Sequence, residues 1–180
     1  MKYIILGQPR NGKSTLAKMI SEEKHIPVIC TDDYRRDWGF HEPWKGYDTE
    51  INPLRQKEFY DKLLELYNQY DNVILEGSSI NPKDINIFDY DSVVLLYKRD
   101  ISPNEMLSLS RKYDNDWTTK REDGYLLDLF KNYLDYSKKW VQENPDIAID
   151  TSNYKEGLEI AKKKLYSSSI KNGSFPNEWK

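Results

Sequence analysis

Cysteine and histidine are nearly absent from this chain: one Cys and two His in 180 residues. Cys30 has no partner for a disulfide within the chain. At the end of an apolar run it reads as a reduced, buried thiol, which fits a cytoplasmic setting. His25 and His41 are too far apart and too poorly accompanied to argue a metal site. No apolar run approaches the roughly 18 residues of a membrane span, and the stretch over residues 3–6 is too short for a signal-peptide core, so no membrane attachment is expected. An excess of charge of one sign is missing too. The 27 Lys and Arg stand against 30 Asp and Glu, a formal net charge of -3, which leaves no basic stripe for tracking a long nucleic acid and no polybasic surface for a membrane. Internal repeats and low-complexity blocks are also lacking, and nothing in the sequence speaks to oligomeric state.

What is present is one domain's worth of alternating elements. Residues 2–6, Lys-Tyr-Ile-Ile-Leu, read as a buried strand ending at Gly7. Leu16, Met19 and Ile20 then recur at helical spacing, and the helix stops before Pro27. Residues 28–30 read as a second strand leading into Thr31-Asp32-Asp33, and residues 34 to about 51 as a long loop with at most a short helix. Asn52-Pro53 opens a helix to about residue 70. Strands are expected at 72–76, 92–97 and 147–149, a short helical turn at Asn81-Pro82, and helices from Ser102-Pro103 to about 113, from about 126 to 143 and from about 158 to 165. Strands alternating with helices predict an α/β fold with a parallel sheet of about five strands and helices on both faces. The domain is taken as residues 1–166, and residues 167–180 as a polar tail.

Gly7-Gln8-Pro9-Arg10-Asn11-Gly12-Lys13-Ser14 matches the P-loop pattern at every fixed position, with a strand before it and a helix after it. The backbone N–H groups of such a loop converge on phosphate oxygens, glycines permit the curvature, and the helix N-terminus adds its positive end. Gly7, Asn11, Gly12, Lys13, Ser14 and Thr15 are therefore the expected nucleotide-binding set. Lys13 is expected to reach the β- and γ-phosphates and Ser14 to place its hydroxyl on Mg²⁺.

With these residues in hand, the chain resembles the small P-loop kinases of the adenylate kinase-like group, which include shikimate, gluconate, chloramphenicol and zeta-toxin-type phosphotransferases. The resemblance spans nearly the whole chain. It rests on the P-loop, on Asp32-Asp33 after the second strand, on Glu76-Gly77 ending the third, on an arginine-bearing segment after the fourth and on Asp150-Thr151-Ser152-Asn153 after the fifth. It implies a three-layer P-loop NTPase fold with strand order 2-3-1-4-5, and transfer of the ATP γ-phosphate to a small-molecule or nucleotide acceptor. Asp32-Asp33-Tyr34-Arg35 fits the group's acidic Asp-x-x-Arg pattern beside the acceptor hydroxyl. Asp32 is the expected base and Asp33 its rival, because neighbouring residues leaving a strand point opposite ways.

Arg35 joins them on the acceptor side, and Glu76 is placed near the acceptor or the Mg²⁺ water shell. Arg111 and Arg121 bound a lid over about 111–123, either of them expected to close on the phosphates. Thr151 and Ser152 stand where the group meets the adenine edge. Residues 34–70 are the expected acceptor-binding insertion, and the aromatic segment 38–47 within it suits stacking on a ring. Two other readings stand beside a hydroxyl acceptor. A nucleoside or nucleoside-monophosphate kinase could draw on Arg35, Arg36 and Arg55. A P-loop ATPase or GTPase switch is weakened for the GTPase case, since Tyr97-Lys98-Arg99-Asp100 lacks the leading Asn or Thr of a guanine-reading motif.

Overall fold

In the computed structural model, which describes residues 1–40, 53–113 and 120–173, β1 (Lys2–Leu6) lies at the centre of a five-stranded parallel sheet. The chain continues through α1 (Lys13–Lys24), β2 (Val28–Cys30), α2 (Thr31–Asp37), α3 (Pro53–Tyr67) and β3 (Val73–Gly77). A 3₁₀ turn over Pro82–Ile87 leads to β4 (Ser92–Tyr97), α4 (Pro103–Tyr113), α5 (Asp123–Glu143), β5 (Ala148–Asp150) and α6 (Tyr154–Gly173). The strand order is β2-β3-β1-β4-β5, as the resemblance implies.

Side chains alternate across a strand, so each face of the sheet collects its own core. Ile4 and Leu6 of β1 join Ile29, Leu75, Leu95, Phe59, Leu63, Tyr67 and Trp140, which seats α3 and α5 on one face. Tyr3 and Ile5 point the other way and join Leu16, Ala17, Ile20, Leu158, Ala161 and Leu165, which seats α1 and α6. Three layers result. A smaller cluster of Met106, Leu126, Phe130 and Tyr133 pins α4 on α5.

Local signals set the helix boundaries. The Ser102 hydroxyl accepts the Glu105 N–H at 3.1 Å and Pro103 takes the first helical position of α4, as the capping-box spacing predicts. Asn81 caps the 3₁₀ turn by accepting the Lys83 N–H.

Several boundaries differ from the expectation. α2 forms where the sequence reads as strand exit and loop, because its support is electrostatic and aromatic rather than periodic. Asp32 and Asp33 sit in its first turn and Arg35 and Arg36 in its last, complementing the helix dipole. Tyr34 and Trp38 pack their rings 4.9 Å apart, four residues along the chain. β3 and β5 each end one residue later than the apolar runs, at Gly77 and Asp150. α6 continues past Ser167 because no stop signal intervenes before Gly173. The expected insertion and lid fall partly outside the described residues, at 41–52 and 114–119, as does His41. No helix among the described residues is long and apolar enough to cross a membrane.

Candidate active site

The C-terminal ends of β1, β2 and β3 meet at one edge of the sheet, with Leu6 in register with Gly77 and Cys30 with Glu76. Open α/β sheets present their chemistry at this edge. The chain leaves β1 through Gly7, whose φ is 145°, and a Cβ there would stand 2.5 Å from the Leu96 carbonyl oxygen. That closeness lets the loop lie flat against β4. The loop returns at Gly12 into the N-terminus of α1, where the first N–H groups have no intrahelical partner. Lys13 is buried and its Nζ donates to the Gln8 carbonyl at 2.9 Å, so the ammonium is already folded over the loop. Ser14 Oγ donates to Glu76 Oε1 at 3.1 Å, joining the loop to β3.

Glu76 is 3% exposed. Burial pushes its carboxyl above the ordinary range, against the opposing pull of Lys13, the Cys30 thiol and Ser14. The neighbouring Cys30 thiol is pushed up as well, first by burial and then by the charge of Glu76. For a carboxyl whose folded pKa is raised, the attached stability is fully present below the ordinary carboxyl range and is lost as pH rises through the folded value. The ionised Glu76 is therefore a cost to the fold at neutral pH. Glu76→Gln is expected to raise the thermal midpoint at pH 7 by about 2–4 °C, the shift that roughly 1 kcal/mol produces at this size. Melting curves across pH check it: the gain should vanish in acid, and a lower midpoint at pH 7 would mean that Lys13 needs the charge more than the fold is burdened by it.

Asp32 is held in place by the segment that follows β3. Its carboxylate accepts the Ser78 N–H at 3.2 Å, the Ser78 hydroxyl at 3.1 Å and the Ser79 hydroxyl at 2.5 Å. Both serines are buried. Asp33 points to solvent and pairs with Arg36 at 3.4 Å. The structure thus separates the two adjacent aspartates, one facing the sheet edge and the other on the outer face of α2. Between β3 and the serines lies Gly77, with φ 149°; a Cβ there would fall 1.8 Å from Thr31 Oγ1 and 3.2 Å from Asp32 Oδ1. Gly77→Ala is expected to destabilise the chain by more than about 2 kcal/mol, through backbone strain and overlap together, read as a lower urea midpoint.

Arg35 is buried, with its guanidinium 5.7 Å from the centre of the Phe59 ring. Trp38 and Phe40 pack on the same ring at 6.2 and 5.7 Å. Phe59 is a core residue, and Trp38 and Phe40 are partly buried against it.

Thr151 and Ser152 follow β5, and Arg111 lies in the last turn of α4. Thr151 is fully buried, and its hydroxyl donates to the Asn11 carbonyl at 2.9 Å and the Tyr97 carbonyl at 3.2 Å, so the side chain ties the loop to β4. Ser152 is exposed; its N–H and hydroxyl both donate to Asp150, and its hydroxyl accepts the Arg99 N–H. Arg111 pairs with Asp123 and reaches the Arg121 carbonyl at 3.5 Å, joining the end of α4 to the start of α5. Arg111 is thus committed to the junction of α4 and α5.

Several residues at the site carry no signal in the linear reading. Ser78 and Ser79 are the exception, since a small polar pair directly after a buried strand marks a turn that can donate. Tyr154 donates its hydroxyl to Thr15 Oγ1 at 2.7 Å and packs beside Gly12; nothing local in the sequence distinguishes it from a surface tyrosine.

The comparisons with known proteins agree with this fold. No family model matches the chain. A shikimate kinase from Clostridium botulinum (strain Okra / Type B1) is 24% identical over 161 residues, covering 86% of this chain and 90% of that protein. The solved structure of shikimate kinase from Bacteroides thetaiotaomicron aligns with a TM-score of 0.59 at 18% identity, over 93% of this chain and 96% of that one. The fold is that of the P-loop kinases. A deoxyadenosine kinase from M. mycoides with bound dATP shares the P-loop kinase fold too, with a TM-score of 0.55 at 18% identity over 92% of this chain and 99% of that one.

Proposed function

We propose that this chain is an ATP-dependent phosphotransferase that moves the γ-phosphate to a hydroxyl of a small acceptor in the cytoplasm. The observation that carries the reading is the meeting, at one sheet edge, of three groups with separate tasks: buried Lys13 on its loop, Ser14 bonded to Glu76, and Asp32 fixed by Ser78 and Ser79. The likeness to shikimate and deoxyadenosine kinases supports the same chemistry.

Ser14 Oγ and Glu76 Oε1 are two hard oxygen donors beside the phosphate loop, a pair that fits a Mg²⁺ retaining most of its water shell. Bound there, Mg²⁺ would offset charge on the phosphate oxygens. Lys13 leaves the Gln8 carbonyl for those oxygens, while the loop's N–H groups hold them by their dipoles. Asp32 accepts the acceptor's hydroxyl proton and orients its oxygen. The serines that hold its carboxylate remove the rotamer freedom that would otherwise be lost on binding. Thr151 acts on the loop's shape and Ser152 on the base side. The segment 111–123 serves as the lid, Arg111 or Arg121 leaving its present contacts to reach the nucleotide.

A nucleoside acceptor is the second reading, favoured by the half-buried rings of Trp38 and Phe40 just after α2, which begins beside Asp32, and by the deoxyadenosine kinase likeness. The test is ATP consumption with Mg²⁺ across nucleosides, nucleoside monophosphates, hydroxy acids such as shikimate, sugars and hydroxylated antibiotics, with Lys13→Ala as the blank. Phosphorylated product from one acceptor class is the expected result. Hydrolysis that no acceptor stimulates would replace the kinase with an ATPase switch.

A further inference from the structure

A buried polar side chain needs hydrogen-bond partners, whereas an apolar one fills a core without them. The inner face of α3 mixes the two kinds. Phe59, Leu63 and Tyr67 pack into the core on that face of the sheet. Among them stand Gln56 and Tyr60, 8% and 9% exposed, four residues apart and so on one side of the helix.

Both reach the same short segment, residues 78–81, between β3 and the 3₁₀ turn. Gln56 Nε2 donates to the Ser79 carbonyl at 3.4 Å. The Tyr60 hydroxyl accepts the Asn81 N–H at 3.2 Å and donates to Asp84 Oδ2 at 2.9 Å, which ties the segment to the turn that follows it. Between these two attachments Ile80 is fully buried in the same core. Burial pushes the Tyr60 phenol above its ordinary range, so it keeps its proton at neutral pH and goes on donating to Asp84.

On its other side the segment holds Asp32, through the Ser78 hydroxyl at 3.1 Å and the Ser79 hydroxyl at 2.5 Å. A serine hydroxyl is a rotor on a short stem. It directs a carboxylate only as firmly as its own backbone is held, and α3 holds that backbone at residues 79 and 81.

We propose that Gln56 and Tyr60 are positioning residues for the acceptor base: from α3 they fix the backbone of residues 79–81, and through Ser78 and Ser79 that backbone sets where the Asp32 carboxylate meets the acceptor hydroxyl. This inference rests on Asp32 being that base. The bonds of the pair go to residues 79, 81 and 84 and not to the phosphate loop, so their loss falls on transfer and spares nucleotide binding.

Tyr60→Phe and Gln56→Met keep the bulk of each side chain and remove these hydrogen bonds. Each is made alone and together with Asp32→Asn. Calorimetry with MgATP and thermal midpoints report binding and folding. Transfer from MgATP is first screened on a mixture of shikimate, deoxyadenosine, gluconate and chloramphenicol, and kcat and KM are then measured with the compound that the parent phosphorylates. Tyr60→Phe is expected to lower kcat by about ten-fold, and Gln56→Met by less, against the roughly hundred-fold that misplacing a reacting group by about 1 Å costs. The MgATP affinity of both should stay within about two-fold of the parent's. In the Asp32→Asn background neither substitution should lower kcat further, because residues that act through one group are not additive. Parent-like kcat in both single variants overturns the inference and leaves the kinase reading standing. A full additional loss in the Asp32→Asn background overturns it as well, since the pair would then act on the fold at large. A parent that transfers phosphate to no member of the mixture overturns the assignment of Asp32 as base and this inference with it.

Discussion

Lys13→Ala is expected to abolish phosphoryl transfer, lowering turnover by about a thousand-fold or more, the scale on which a single phosphate-stabilising cation acts. The size follows from where the ammonium sits. Lys13 is buried on the loop with its Nζ on the Gln8 carbonyl, where it meets little solvent screening and needs only a short swing to meet phosphate. Its loss also removes the charge that opposes the upward push on Glu76, so that carboxyl would be pushed higher still. Two terms therefore fail at once, and Lys13→Arg should recover little, since a planar fork does not replace a compact ammonium in a closed loop. Single-turnover transfer measured with saturating ATP is the check. Turnover within ten-fold of the parent would remove Lys13 from the chemistry.

Asp32→Asn should lower transfer by about a hundred- to a thousand-fold, as loss of a general base does, while ATP binding is retained. The contrast between the two readouts is the point. Asp32 is bonded to Ser78 and Ser79 and not to the loop, so the amide leaves Lys13, Ser14 and Glu76 in place. Asparagine can still accept from one serine, which preserves the fold while removing the proton acceptor. Asp33→Asn makes the companion control: its carboxylate pairs with Arg36 in solvent, an exposed ion pair of small consequence, and transfer should stay near the parent's. An active Asp32→Asn beside an inactive Asp33→Asn would exchange the two roles.

Much of this was legible in the linear sequence, for reasons that differ by element. The central strands and the helices of the two cores announce themselves because burial repeats at period two or near four, as in Ile4 and Leu6 against Tyr3 and Ile5. The phosphate loop is legible because glycine and lysine are needed at fixed offsets. α2 was not, since charge placement and a Tyr34–Trp38 stack carry no apolar period. At the candidate site the pattern identified Asp32 as the expected base with Asp33 as its rival; the strand register and the serines that follow Gly77 separate the two in space. Tyr154 stayed hidden because its relation to the loop is purely tertiary. Thr151 was visible as a small polar residue, but its orientation into the loop's carbonyls depends on how β5 docks beside β4.

That last contact has a bearing on the birth of the protein. The Thr151 hydroxyl reaches the Asn11 carbonyl across 140 positions of sequence, and Tyr154 reaches Thr15 across 139. Contacts of such long range form late in folding, and a chain emerging from the ribosome presents its N-terminal loop long before the residues that brace it. The bracing of the loop by these two contacts is therefore complete only when β5 and the start of α6 have docked.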